Sequence, residues 1–138
     1  MATKGIPMKE HHYCAIDPHF LFESAGEDLS LFRELSAMFV RLAGPVHARL
    51  QVAMQEGDNT AIHFESHSLK GSTALVGAIA LSALLGEIEN HARQQRSDLL
   101  LPCRPELTRL FDLAMQEVHF SIDHFNGQSG TDAEPVAP

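Results

Sequence analysis

The feature that most constrains this chain is the spacing of its apolar residues, which recur every three or four positions through several long segments. In one of them Ile62, Leu69 and Val76 lie seven positions apart, which places them on one stripe of an α-helix. No segment shows the alternation of apolar and polar residues that a half-buried strand requires. The pattern therefore predicts an all-α fold, an antiparallel up-down four-helix bundle.

Capping residues and prolines predict where the first helices begin and end. Asp17 followed by Pro18 indicates the start of a short additional N-terminal helix that lies across one end of the bundle. Asp28 indicates the start of the next helix, and the Gly44-Pro45 pair is expected to bend or split it.

The second helix carries an apolar face that is expected to be buried, formed by Leu31, Leu35, Met38, Phe39 and Leu42. Three more helices are expected, from Asp58 or Thr60 to about Val76, from Ala78 to about Gln95, and from Pro105 onward. Because the connections are short, neighbouring helices should run antiparallel.

Length and composition predict one domain, since 138 residues with 44% apolar content can build a single core. We expect a flexible N-terminus at 1–16, the bundle at 17–125 and a flexible C-terminal tail at 126–138. The two cysteines, Cys14 and Cys103, show no paired spacing and are expected to be free thiols.

The chain's charge and hydropathy exclude two classes of partner. The net charge is −8 and the ten basic residues are scattered, which argues against a nucleic-acid surface. No secretory signal and no apolar stretch long enough to span a membrane occur, so no membrane insertion is expected and a cytoplasmic location is predicted.

His67 is the candidate reactive residue. An α-helix turns about 100° per residue, so His67 lies roughly 160° around the helix from the core residue Leu69 and faces outward. Lys70 and Gly71, one turn further on, share the histidine's face. A lysine there could neutralise an anion on the imidazole, and a glycine removes a side chain that would obstruct an approaching partner.

Phe64 and Leu75 lie about 60–80° to one side of His67 on the same helical wheel. They could form an apolar shoulder for a docking partner. The alternative is that they pack against a neighbouring helix or against the short N-terminal helix.

The run HSLKGS from His67 to Ser72, followed by Gly77-Ala78, resembles the His-x-Leu-Lys-Gly-Ser/Ala signature of histidine phosphotransfer (HPt) domains. The resemblance extends more loosely from about Asp17 to Phe125. It implies that His67 takes a phosphoryl group from an aspartyl phosphate of one response-regulator receiver domain and passes it to the aspartate of another. Lys70 would then be the charge partner and Gly71 the access residue.

The same resemblance implies a monomeric phosphorelay intermediate of two-component signal transduction, with no kinase activity and no cofactor of its own. Its partners would be receiver domains, which carry Mg²⁺, and a hybrid sensor histidine kinase. The residues expected to contact a partner around His67 are His63, Phe64, Ser68, Ala74 and Leu75.

Glu89 is a further candidate, because some HPt domains place a glutamine at this point of the following helix. A carboxylate there could orient a neutral imidazole, but it would repel a phosphoryl group. The alternative is a solvated helix residue without a role at the site.

Three rival interpretations make different demands on the chain. His63 and His67 have the spacing of two ligands on one helix, but Phe64 stands where a zinc protease has its glutamate, and no metal is expected. A non-catalytic HPt-like module that only binds a receiver or another signalling protein would have no need of a central nucleophile. The phosphotransfer domain of a chemotaxis-type kinase would require a catalytic domain in addition.

Overall fold

The computed structural model describes residues 12–127, which form helices and connecting turns and contain no strand. The helices are α1 (Pro18–Ser24), α2 (Leu29–Glu56), α3 (Asn59–Leu75), α4 (Ile79–Arg93), α5 (Ser97–Leu100) and α6 (Arg104–His124), with a 3-10 turn at Leu101–Cys103 before α6. The predicted all-α fold is therefore confirmed. Among the described residues no helix is both long and apolar enough to cross a membrane.

Four long helices form the bundle. In it α2 packs against α3 and α6, and α4 packs against the same two helices. Two-residue and three-residue connections reverse the chain between α2 and α3 and between α3 and α4. Hydrogen bonds from Arg33 to the Ile122 carbonyl and from Gln51 to Thr108 show that α6 runs antiparallel to α2.

Aspartate caps fix the first three helix starts, as the sequence indicated. Asp17 accepts hydrogen bonds from the two amides that follow Pro18. Asp28 accepts from the Leu31 amide, and Asp58, not Thr60, accepts from the Ala61 amide, each at 3.1 Å. Each carboxylate satisfies amides that have no partner within the helix.

Pro45 does not split α2, which continues as one helix for 28 residues. The proline lacks only its own N–H, so a single helical hydrogen bond is lost. Pro45 is exposed, and Ala43 and Leu50 on either side of it are buried in the core. Packing on both sides of the proline therefore keeps the helix intact.

The predicted buried face of α2 is partly wrong: Phe39 is buried and Leu35 is half-buried against the core, but the other three residues are not. Leu31, Met38 and Leu42 are exposed, and the buried residues are Phe32, Ser36, Phe39, Ala43, Leu50, Ala53 and Met54. Two small residues, Ser36 and Ala43, lie on the buried stripe, and an apolar count alone would not select a serine. On α3 the predicted stripe of Ile62, Leu69 and Val76 is buried as expected.

The segment before α1 is fastened to α6, and the predicted domain boundary at residue 17 stays a prediction. The Glu117 carboxylate, which is 8% exposed, accepts hydrogen bonds from the amides of Cys14, Ala15 and Ile16 at 3.0, 2.8 and 3.2 Å. Of the ends predicted to be flexible, 1–16 and 126–138, residues 1–11 and 128–138 lie outside the described range. Cys14 and Cys103 are free thiols, as predicted.

Gly77 lets this N-terminal segment reach the turn between α3 and α4. The Asp17 amide donates to the Val76 carbonyl at 3.1 Å. Gly77 has φ +74°, and a Cβ on it would lie 2.7 Å from the Cβ of Asp17. No other residue type fits here without moving the chain, so α1 is held at the C-terminal end of α3.

Candidate functional site

His67 lies on the outer side of α3 where that helix runs beside α4. Its side chain is 69% exposed, which agrees with the outward orientation inferred from the helical wheel. The ring is anchored at one nitrogen only: Nδ1 lies 3.0 Å from Oε2 of Glu89 on α4. The other nitrogen, Nε2, therefore belongs to the exposed part of the ring.

Glu89 is a nearly buried carboxylate beneath the histidine, with 8% of the residue exposed. Its Oε1 pairs with the Lys70 ammonium at 2.8 Å, and its Oε2 also lies 3.5 Å from Nε2 of His63. The hydrogen bond from Lys70 lowers the pKa of Glu89 most and the bond from His67 adds to it, while burial opposes both. Glu89 is thus ionised at neutral pH.

The charge on Glu89 determines which nitrogen of His67 carries the proton. An ionised carboxylate only accepts hydrogen bonds, so Nδ1 must donate, and the neutral ring is the Nδ1–H tautomer. Nε2 then holds the free lone pair. The arrangement presents one unprotonated nitrogen to solvent on a ring held by its other nitrogen, which suits a nucleophile.

Lys70 does lie next to His67, but its ammonium is directed to Glu89. The expected role of neutralising an anion on the imidazole therefore remains a prediction. The interpretation of Glu89 as a solvated helix residue is wrong, because its carboxylate is buried among three side chains of α3. Sequence reasoning placed Glu89 near the histidine and missed its contact with His63.

Gly71 has open space around it. A Cβ built on this glycine would have no atom within 4 Å, apart from its own helix backbone. Packing within the chain therefore does not require a glycine, although glycine inside a helix costs about 0.5–1 kcal/mol relative to alanine. The open space is consistent with the expected role in partner access.

The other residues expected to contact a partner lie on the surface around His67, which we call the outer face: His63, Phe64, Ser68, Ala74 and Leu75. Phe64 is 66% exposed and Leu75 is also exposed, so neither is buried against a neighbouring helix. His63 is half-exposed and reaches back to Glu89.

Neighbouring helices add apolar residues that sequence reasoning did not assign to this face. An ion pair of 3.0 Å between Arg49 and Glu65 fixes the register of α2 against α3. Counting back along the antiparallel pair places the exposed Leu42 at the level of Ser72, on the flank that also carries Leu75. Leu42 was expected in the buried face of α2, so no signal in the sequence pointed to this extension.

Ile79 is a further exposed apolar residue, at the turn between α3 and α4. It is the first residue of α4, follows the turn at the end of α3, and is 78% exposed. Large exposed apolar side chains in one region are typical of surfaces that bind another protein. Within the described residues, no group of three or more histidine, cysteine or acidic side chains is placed to hold a metal ion.

Comparisons with known proteins agree with the fold. A model of the Hpt domain family matches residues 34–119, more than half of the chain, and this range includes His67, Lys70, Gly71 and Glu89. No curated protein matches the sequence significantly.

One similar solved structure is the histidine-containing phosphotransfer protein B from Pseudomonas aeruginosa PAO1, with a TM-score of 0.69 and 23% sequence identity. The alignment covers 81% of this chain and 97% of that chain. At this identity the likeness shows a shared fold, and the family match supplies the assignment. The chain belongs to the Hpt domain family.

Proposed function

We propose that this protein relays phosphoryl groups between aspartates of response-regulator receiver domains, with phospho-His67 as the intermediate. One observation carries the proposal: an exposed imidazole is held at Nδ1 by an ionised carboxylate, so that Nε2 keeps its lone pair. That is the state in which a histidine attacks phosphorus.

The transfer needs little chemistry from this chain. Nε2 of His67 attacks the phosphorus of an aspartyl phosphate, the N–P bond forms, and the P–O bond to the aspartate breaks and releases a carboxylate. The Mg²⁺ ion and basic groups expected on the receiver stabilise the charge on the phosphoryl oxygens. The protein is thus a positioned nucleophile without kinase activity or a cofactor of its own.

The outer face supports docking of a folded partner. Phe64, Leu75 and the neighbouring Ile79 offer apolar contact, and Gly71 keeps the approach to His67 open. We propose that receiver domains bind here, including one of a hybrid sensor histidine kinase, that the protein acts as a monomer, and that it works in the cytoplasm.

The test is incubation with a phosphorylated receiver domain in Mg²⁺. We expect an acid-labile, base-stable phosphoprotein, and we expect His67→Gln to abolish labelling. His119→Gln, on the exposed side of α6, is the matched control and should label normally. Undiminished labelling of His67→Gln would exclude His67 as the phosphorylated residue.

The rival function, a module that only binds receivers, gives a different result in the same experiment. Such a module would bind the receiver with no label passing to the chain. Gly71→Gln separates access from chemistry: we expect slower transfer from a receiver, with helix content unchanged, because the added side chain obstructs the partner. An unchanged transfer rate would show that the glycine is not needed for access.

A further inference from the structure

Glu89 has more contacts than are needed to orient His67 in its unphosphorylated state. A single hydrogen bond from Nδ1 fixes the tautomer of His67, yet the carboxylate is also buried and held by Lys70 and His63. Its position is therefore set by the bundle and not by His67 alone, so the carboxylate remains in place when His67 is modified.

Phosphorylation changes what Nδ1 is able to do. A ring that carries phosphorus on Nε2 keeps an N–H only at Nδ1, and only as an imidazolium cation. If that proton is lost, Nδ1 carries a lone pair. This lone pair would face the ionised oxygen of Glu89, which lies 3.0 Å from Nδ1. The protonated form gains a charge-assisted hydrogen bond, and the deprotonated form gains a repulsion.

We propose that Glu89 holds phospho-His67 in the Nδ1-protonated imidazolium form and so keeps its phosphoryl group transferable. The inference rests on the proposed function, because it concerns the second half of the relay. It assigns Glu89 as a positioning residue that acts through the proton on Nδ1.

The electron balance shows why the proton matters. When the first transfer forms the N–P bond, the Nδ1 proton stays in place and the ring becomes a cation. In the onward transfer the N–P bond breaks, its electron pair returns to Nε2, and the ring leaves as neutral imidazole with the same proton on Nδ1. Without that proton the leaving group would be an imidazolate anion, which is a much poorer leaving group. No proton has to move in either step.

The surrounding charges tune this effect. On α3, Lys70 partly neutralises the carboxylate and His63 shares Oε2 with His67. On α4, the cation one turn beyond Glu89 is Arg93, which donates to Asn90. On α2, Arg49 pairs with Glu65 on the opposite flank of α3. Lys70 therefore opposes Glu89 most directly, and its removal should strengthen the hold on the proton.

The experiment follows the ³¹P NMR signal of phospho-His67 across a pH titration, after phosphorylation of the intact protein with phosphoramidate. We expect the Nδ1 titration midpoint in the wild type to lie above that of Glu89→Gln by about one pH unit or more, the size typical of a nearby opposite charge. Lys70→Met should raise the midpoint above the wild-type value. Equal midpoints in the wild type and Glu89→Gln would overturn the inference.

Two controls accompany the titration. His67→Gln should lose the signal, which assigns it to His67, and Glu89→Asp should retain the charge at a greater distance and give an intermediate midpoint. Helix content by circular dichroism checks that each variant is folded. A midpoint for Glu89→Asp at or below that of Glu89→Gln would also count against a role for the carboxylate charge.

A second readout links the proton to transfer. At pH values well above the wild-type midpoint, onward transfer from phospho-His67 to a receiver should be about tenfold slower in the variant, because a midpoint lower by one pH unit then reduces the protonated fraction about tenfold. Phosphoramidate labelling needs no receiver, so the two proposals fail separately. Loss of all exchange with receivers would contradict the relay, and equal transfer rates with intact exchange would contradict only the role of Glu89.

Discussion

Two glutamates of this bundle are equally buried and are satisfied in opposite ways. Glu89 and Glu117 are each 8% exposed, and each carboxylate has three contacts. The hydrogen-bond donors to Glu117 are the backbone amides of residues 14–16, which do not titrate. The partners of Glu89 are the side chains of His63, His67 and Lys70, each of which can carry a positive charge.

The difference shows how to distinguish a carboxylate that stabilises the fold from one that belongs to the candidate functional site. Burial alone does not distinguish them, because both residues are exposed to the same small extent. The backbone contacts of Glu117 fix the position of a chain segment, whereas the side-chain contacts of Glu89 connect it to the exposed imidazole of His67. We expect substitutions at the two positions to affect different measurements.

The largest expected effect on stability is at Glu117. Replacing it with alanine leaves three amides of the N-terminal segment without their acceptor and should lower the free energy of unfolding by about 2–4 kcal/mol. Urea denaturation measures this loss. Phosphoramidate labelling of His67 should be unchanged under folding conditions. A loss as small as that of a surface substitution, about 0.5 kcal/mol, would show that the segment is not fastened by this carboxylate.

Glu89 should affect stability less, and in a pH-dependent way. Contacts with Lys70 and His67 lower its pKa below the ordinary value of 4.5, so its contribution to stability is fully present above about pH 4.5. It is lost as the pH falls through the folded-state pKa. We expect Glu89→Gln to lower the free energy of unfolding by about 1 kcal/mol at pH 6, since the partners of Glu89 are partly exposed. At the lowest pH values, where Glu89 is protonated, the substitution should have no effect. Urea denaturation across this pH range measures the difference in unfolding free energy between the wild type and the variant. A difference that does not change with pH would contradict the prediction.

Tyr13 reports on the charge of Glu117. Burial, and secondly the Glu117 carboxylate, raise the pKa of the Tyr13 phenol to about 12. Removing the charge in Glu117→Gln should lower that pKa while leaving it above the ordinary value of 10.0, because burial is the larger cause. Ultraviolet titration of this single tyrosine measures the change. The same pKa in both proteins would mean that the carboxylate and the phenol are not coupled.

The smallest expected effect concerns the space around Lys70. A Cβ on Gly86 would lie 3.8 Å from Cδ of Lys70, an ordinary contact distance. Gly86→Ala should therefore stabilise α4 by about 0.5–1 kcal/mol and leave the Lys70–Glu89 ion pair intact. Thermal unfolding measures the gain. A changed ³¹P titration midpoint in this variant would show that the glycine is needed to position Lys70.

Much of the fold could be predicted from local signals. The aspartate caps and the stripe of Ile62, Leu69 and Val76 depend on residues close together in sequence, and they are found as predicted. The buried face of α2 could not be predicted in this way. Its position depends on how α2 packs against α3 and α6, which buries the small residues Ser36 and Ala43 and is a property of the assembled helices.

The sequence by itself determined the helical fold, the outward direction of His67 and the proximity of Lys70 and Gly71, because these follow from the helical repeat within one segment. Only the tertiary structure decided the state of the histidine. The antiparallel packing of α3 and α4 brings Glu89 to Nδ1 across 22 positions of sequence, and burial of that carboxylate holds it there. Which nitrogen of His67 keeps a free lone pair is therefore set by a contact between helices.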